Sequence, residues 1–353
     1  MSDESRIFWV NNDSDPGPAS KDEKTMLGLS VDDLPSTTHM PLKEQFTKHY
    51  PQIREWLTAH ADRAGVNLLA MSPDALHGAA FLAAKPDLVS AAIIGRHSRA
   101  DLRLKDDASL SLRHVAVLLF PSQAAGRGCR YRLLDMRSAT GFLDERGKRL
   151  RALEADGPAF IRVGHYALLV FSTGGADEPW PEDPEAGWVR IPARLYLDEV
   201  ETEEKSREWE VNSDKAWEVD DLPSISSSPT LVHNIAGPEM AVQELVDENE
   251  TPFGELLITS SRGSSTIILG RRAVQAGILL GRSRRCDAGK VLSDRAVSRV
   301  HLLIIEIAGV LYAIDTASSN GVFDDEARER ATRLQPGGSL SLSDIAIVEW
   351  RTN

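Results

Sequence analysis

Apolar positions along this chain change period twice. Between Pro41 and Gly65, the residues Leu42, Phe46, Tyr50, Ile53, Trp56 and Leu57 recur at helical spacing, so residues 41–65 read as a short helical cap. Pro51 falls inside that stripe and must start a second helix or kink the first. From Val66 the pattern becomes short β runs punctuated by turn residues, and it returns to that pattern from Phe253. In the later block, Glu255–Ser260 and Thr266–Leu269 flank Ser261-Arg262-Gly263-Ser264-Ser265, which predicts a hairpin, and further strands are expected at 278–280, 301–307 and 310–314. Regular short strands of this kind favour a β-sandwich.

Five segments follow: an acidic tail over 1–40 without sustained periodicity, the cap over 41–65, a first β-sandwich over 66–175, a linker over 176–252 and a second β-sandwich over 253–353. The chain is thus expected to be mainly β. Charge sharpens the picture of the linker, because Asp177–Asp221 holds 16 acidic residues against five basic ones, most of the net −13 of the 353-residue chain. Trp180, Trp188, Trp209 and Trp217 lie in the same run, more aromatic surface than a purely solvating spacer needs, with one strand-like piece over 188–197.

The acidic balance repels a phosphate backbone, so no nucleic-acid partner is expected. The longest apolar stretches, such as Val115–Phe120, are far below the roughly 18 residues of a membrane span, and the opening Met1-Ser2-Asp3-Glu4-Ser5 is unlike a secretory leader. A cytoplasmic protein without a membrane partner is the expectation. Cys129 and Cys286 are remote and lack metal-ligand spacing, and His49, His60, His77, His97 and His233 form none either, so neither a disulfide framework nor a metal or other cofactor is expected. No nucleotide-binding Gly-rich loop, G-x-S-x-G elbow or kinase HRD and DFG pair appears, and nothing recommends an enzyme.

The chain also matches itself. Ile93-Ile94-Gly95-Arg96 recurs as Leu279-Leu280-Gly281-Arg282, with an aspartate six positions beyond each glycine at Asp101 and Asp287. Ser111-Leu112-Arg113-His114 recurs as Ser298-Arg299-Val300-His301, and Asp135–Gly141 recurs as Asp315–Gly321. Gly-Arg, then Ser-x-x-His, then Asp-x-x-Ser-x-Asn-Gly, each at a strand-to-loop junction, resembles the forkhead-associated family over roughly 66–173 and 253–353.

That resemblance implies two sandwiches of about eleven strands whose end loops bind phosphothreonine peptides. In the second copy it assigns Arg282 to charge pairing, Ser298 to a hydroxyl bond with the phosphate, Arg299 to a further phosphate or peptide contact, and Ser319 and Asn320 to completing the site. Gly281 and Gly321 shape the turns, and His301 is architectural. The chemistry is suitable, because a group of charge about −1.5 to −2 with three acceptor oxygens is well met by a guanidinium fork and short hydroxyl donors.

The first copy keeps Arg96, Ser111 and a structural His114, but Leu112 stands opposite Arg299, and Ala139 and Thr140 stand opposite Ser319 and Asn320. Here Thr140 would restore one hydroxyl contact and Arg113 one charge, giving a degenerate site. The expected function is a phosphothreonine-reading adaptor downstream of a Ser/Thr kinase, acting mainly through the second domain. The alternative is a phosphate-independent scaffold in which both sandwiches dock or dimerise.

Outside the β blocks, Val31–Ser36 recurs as Val219–Ser224, each ahead of a Ser/Thr cluster. A duplicated linear motif there makes Thr25, Thr37, Thr38 and Thr230 candidate phosphoacceptors, able to occupy the second module in cis or to bridge two chains in trans.

Overall fold

The computed structural model describes residues 40–352 except 122–128, 146, 174–178, 193, 197–208, 212–240, 248–249 and 325–326. The Val31 and Val219 motifs and the four candidate phosphoacceptors lie outside these residues.

The described residues open with helix α1 (Leu42–Ala59), on which Leu42, Phe46, Tyr50, Ile53 and Leu57 are buried and Trp56 is partly buried. Pro51 sits inside this one helix, so no second helix begins there. The first sandwich then runs β1 (Gly65–Met71), β2 (Leu76–Ala83), β3 (Ser90–Gly95), β4 (Leu102–Arg103), β5 (Val115–Leu119), β6 (Tyr131–Asp135), β7 (Phe142–Leu143), β8 (Arg149–Leu150), β9 (Ala152–Ala155), β10 (Ala159–Val163) and β11 (Tyr166–Thr173). One sheet has the order β2-β1-β11-β10-β7-β8 and the other β4-β3-β5-β6-β9.

The expected linker is partly structured. Helix α2 (Pro184–Arg190) is capped by the Asp183 side chain, which accepts the Ala186 amide. It carries Trp188 onto Phe46 and Phe160, with ring centroids 5.3 and 5.9 Å away. Trp180 meets Phe171, and the Tyr50 hydroxyl donates to the Pro181 carbonyl at 2.7 Å. These two tryptophans therefore belong to the first domain, as part of a helical layer that covers the outer face of β1, β10 and β11. The expectation of a strand starting at Trp188 is corrected: the Asp183 cap and Pro184 start a helix there. Among the described residues of that piece the strand is β12 (Arg194–Tyr196), which pairs with β13 (Trp209–Val211).

The second sandwich begins before residue 253, because β14 (Ala241–Leu245) adds in parallel to β16 (Gly263–Leu269). It continues with β15 (Gly254–Ser260), which pairs with β16 as the expected hairpin, then the short helix α3 (Arg271–Ala276), β17 (Ile278–Leu280), β18 (Leu302–Ile307), β19 (Val310–Asp315), β20 (Val322–Asp324), β21 (Ala327–Glu329), β22 (Ala331–Arg333), β23 (Ser339–Leu342) and β24 (Ala346–Arg351). The sheets are β14-β16-β15-β24-β23-β20-β21 and β17-β18-β19-β22. No helix among the described residues is long and apolar enough to cross a membrane.

The two sandwiches are packed together. Along β5, Val115, Val117 and Leu119 face the first core, while Ala116 and Leu118 face outward. Along β18, Leu302 and Ile304 face the second core, while Leu303, Ile305 and Ile307 face outward. Those outward sets meet in a third apolar core with Ile93, Leu134, Tyr312 and Ile314. Strands β3, β5 and β18 are consequently buried along their whole length, which is why they read as near-continuous apolar runs, broken only by Ser90 in β3 and Glu306 in β18, rather than alternating ones. Cys129 and Cys286 are buried free thiols.

Candidate functional site

The repeated motifs build the same loop framework twice. The Arg96 amide donates to the Ser111 carbonyl at 3.2 Å, and the Arg282 amide to the Ser298 carbonyl at 3.1 Å. The amides of His114 and His301 donate to Ile94 and Leu280, each at 2.8 Å. Each buried imidazole then ties two loops together: Nδ1 of His114 accepts the Ser111 amide and Nε2 bonds the Gly141 carbonyl at 2.7 Å. His301 does the same with the Ser298 amide at 3.1 Å and the Gly321 carbonyl at 2.8 Å. Burial holds both rings below the usual histidine range, so they are neutral at neutral pH and each has one acceptor and one donor nitrogen for these two roles.

The glycines are required by close approach. A Cβ on Gly281 would lie 2.5 Å from the Arg299 carbonyl oxygen, and one on Gly95 would lie 2.4 Å from that of Leu112. The positive φ of Gly321, 96°, lets the chain turn out of the Asp315–Asn320 loop into β20. Ser318 and Asp315 staple that loop: the Ser318 amide donates to Asp315 Oδ1, and Ser318 Oγ accepts the Gly321 amide.

In the second copy these bonds bring the five sequence-predicted residues to one end of the sandwich. Ser298 Oγ accepts the Ser319 amide at 3.0 Å, which leaves the hydroxyl proton to donate elsewhere. Asn320 is exposed, and its Nδ2 donates to the Ala296 carbonyl at 2.9 Å, leaving its Oδ1 and second N–H for a ligand. Arg282 and Arg299 are exposed, and neither guanidinium bonds another described residue. The loop therefore presents two cations unpaired among the described residues, one hydroxyl donor and one side-chain amide, a set suited to a phosphoryl group on an extended peptide.

In the first copy the same positions do other work. Arg96 Nε donates to the Leu110 carbonyl of its own loop at 2.6 Å. The Thr140 hydroxyl is buried without a hydrogen-bond partner, so it faces no peptide. Arg113 is corrected most sharply. It is 5% exposed and donates through Nε to the Thr316 carbonyl and through Nη2 to the Ala317 carbonyl at 2.6 Å, both in the other sandwich. It faces away from the first copy's loops because Arg113 points to the outer side of its sheet, where the third core lies. Ser111 remains half-buried on its loop, with no side-chain bond among the described residues.

Sequence reasoning missed the arginines that hold the loop carbonyls. Arg328 Nη2 reaches the Ser318 carbonyl at 3.4 Å, as Arg149 Nη2 reaches Ala139 in the first copy at 2.7 Å. From across the seam, Arg99 Nη1 donates to the Ser318 carbonyl at 3.1 Å and to that of Ser319. Other cross-seam pairs are Arg137 with Asp287 at 2.7 Å, Arg330 with Asp101, and Arg333 with the Asp87 carbonyl. Asp101 and Asp287, the aspartates six positions beyond each repeated glycine, thus each bind their own strand amide, of Ile93 or Leu279, and an arginine of the opposite sandwich. The repeat of Asp101 and Asp287 was the available signal.

A search of curated proteins finds no match. Among solved structures, the chain is similar to Mycobacterium tuberculosis Rv1747 FHA-1 at 21% identity, covering 29% of this chain and 99% of that one, with a TM-score of 0.24. It is similar to Mycobacterium tuberculosis EmbR in complex with a low-affinity phosphopeptide at 23% identity, covering 28% of this chain and 24% of that one, with a TM-score of 0.24. It is also similar to the FHA domain of CT664 from Chlamydia trachomatis at 20% identity, covering 28% and 98%, with a TM-score of 0.24. The FHA domain family model matches residues 278–343, which run from β17 to the turn after β23 and contain every residue of the second loop set. The chain therefore carries a forkhead-associated domain in its second sandwich, and its first sandwich repeats that framework with an altered loop set.

Proposed function

We propose that this chain is a phosphothreonine-dependent protein-interaction adaptor that binds through its second sandwich, with no catalytic step of its own. The observation that carries the reading is the combination of Arg282, exposed and unengaged among the described residues, with a Ser298 hydroxyl one of whose two lone pairs is taken by the Ser319 amide, leaving its proton to donate. A hydroxyl so arranged is a donor to whatever sits beside Arg282, and a phosphate dianion accepts both. Arg299, Ser319 and Asn320 are placed to extend the contact to the peptide. The first sandwich serves as a docking domain, since its loop cation is spent on Leu110 and its Arg113 on the seam.

The upstream enzyme in this reading is a Ser/Thr kinase acting on the partner. Phosphorylation of Thr25, Thr37, Thr38 or Thr230 would place a tethered competitor at millimolar effective concentration beside the second site, in cis or from another chain. The test is calorimetric titration of a phosphothreonine peptide library into the full chain. Binding is expected to need the phosphate, to fall roughly 10- to 100-fold in Arg282→Ala, given about 1.5–3 kcal/mol for bonds to a charged group, and to be unaffected by Arg96→Ala. Equal affinity for unphosphorylated peptides would sink the reading.

A further inference from the structure

The seam between the sandwiches passes directly behind the loop that presents Ser319 and Asn320. Four consecutive carbonyls of that loop, from Thr316 to Ser319, accept hydrogen bonds from the first sandwich: Arg113 takes Thr316 and Ala317, and Arg99 takes Ser318 and Ser319. The Arg113 end is dry, with Thr316 fully buried and Ala317 4% exposed, whereas Arg99 lies at the exposed rim. The opposite surface of the loop makes the site, because the Ser319 amide orients the Ser298 hydroxyl. Arg99 and that hydroxyl therefore hold the same residue, one through its carbonyl and the other through its N–H.

We infer that the first sandwich is a built-in part of the second sandwich's binding site, with Arg99 and Arg113 acting as positioning residues that fix the Thr316–Asn320 backbone in its ligand-ready form. A loop held from outside its own domain has less conformational freedom to lose on binding, so its affinity is set partly by the seam. The seam geometry explains why the first copy needs cations on this side. A row of outward carbonyls is well satisfied by guanidinium forks. His97, on the same first-sandwich loop as Arg99, lies amid these charges: burial first, then Arg113, Arg99, Arg299 and Arg103, bring it down to about 4, so it stays neutral and adds no competing proton.

This inference rests on the phosphopeptide reading for its affinity arm only. Arg99→Ala in the full chain should weaken the best phosphothreonine peptide about tenfold, the loss of a charged-group hydrogen bond, with the melting temperature nearly unchanged because the residue is exposed. Arg99→Lys should recover part of the affinity. Arg333→Ala removes another cross-seam bond, to Asp87 and away from this loop, and should leave affinity at the wild-type value. Amide hydrogen exchange without ligand supplies the second arm: Ser319 and Gly321 should exchange faster in Arg99→Ala, while His301 should not. Wild-type binding with an unaltered Arg99→Ala affinity and exchange overturns the inference and leaves the proposed function intact. If wild type binds no phosphopeptide, the proposed function fails, and the exchange at Ser319 still decides whether Arg99 holds the loop.

Discussion

Arg113→Met isolates the energetics of the seam. The substitution keeps an unbranched stem in the third core but removes the guanidinium that bonds Thr316 and Ala317. Two hydrogen bonds from a charged donor are lost, at about 1.5–3 kcal/mol each, and two buried carbonyls are left without them. Against this, methionine avoids the desolvation that brings the Arg113 guanidinium down to about 10. A shift of that size from the ordinary 12.5 corresponds to about 3 kcal/mol. The bonds win by a margin of about 1.5 kcal/mol, because apolar methionine cannot satisfy a carbonyl.

The third core should make wild type unfold in urea as one transition, monitored by tryptophan fluorescence. With a slope of about 3 kcal/mol/M, the loss moves the midpoint down by about 0.5 M. A midpoint at or above the wild-type value would refute the reasoning, since it would mean that desolvation outweighs the bonds, as it does in some buried ion pairs.

Gly281→Ala places a Cβ against the Arg299 and Ser298 carbonyls, so it should cost about 1–3 kcal/mol and abolish phosphopeptide binding; Gly95→Ala should cost a similar amount of stability and leave binding in place, and equal binding losses for both would contradict the assignment of the site to the second copy. Acidification supplies a further test. His77, His97, His114 and His301 are all held below the ordinary histidine value, chiefly by burial. The unfolded chain therefore binds more protons below about pH 6.5, and stability is complete above that value and falls as pH drops toward 4. Melting temperature should decline steadily from pH 7 to 5 and His97→Gln should flatten the decline, whereas a constant or rising melting temperature would oppose this accounting.

Much of the fold was legible because its signals are local. The helical stripe of α1, the β15–β16 hairpin and the loop motifs each announce themselves within a few residues. The loop set proposed as the second site could be named for the same reason, since Gly281, Arg282, Ser298 and Asn320 carry their chemistry in their identities. Three features escaped. Trp188 sits next to β-prone residues, yet Asp183 and Pro184 begin a helix and packing against Phe46 and Phe160 completes it, a tertiary effect no window contains. β14 joins β16 in parallel from outside the expected boundary, a long-range pairing with no local turn signal. The seam escaped because Arg113 was assigned to the loops beside it in sequence, although the unbroken apolar run of β5 already indicated that both faces of that strand are covered.

The third core has a consequence for how this gene can vary. Ala116, Leu118, Leu303 and Ile305 must stay apolar whether or not the first copy ever meets a ligand, because separating the halves would wet all of them at once. Selection can thus retain the duplicate for the wall it presents while its loop tips drift, and a saturation screen should find the outward positions of β3 and β5 as intolerant as the inward ones, with tolerance concentrated around Ala139 and Thr140.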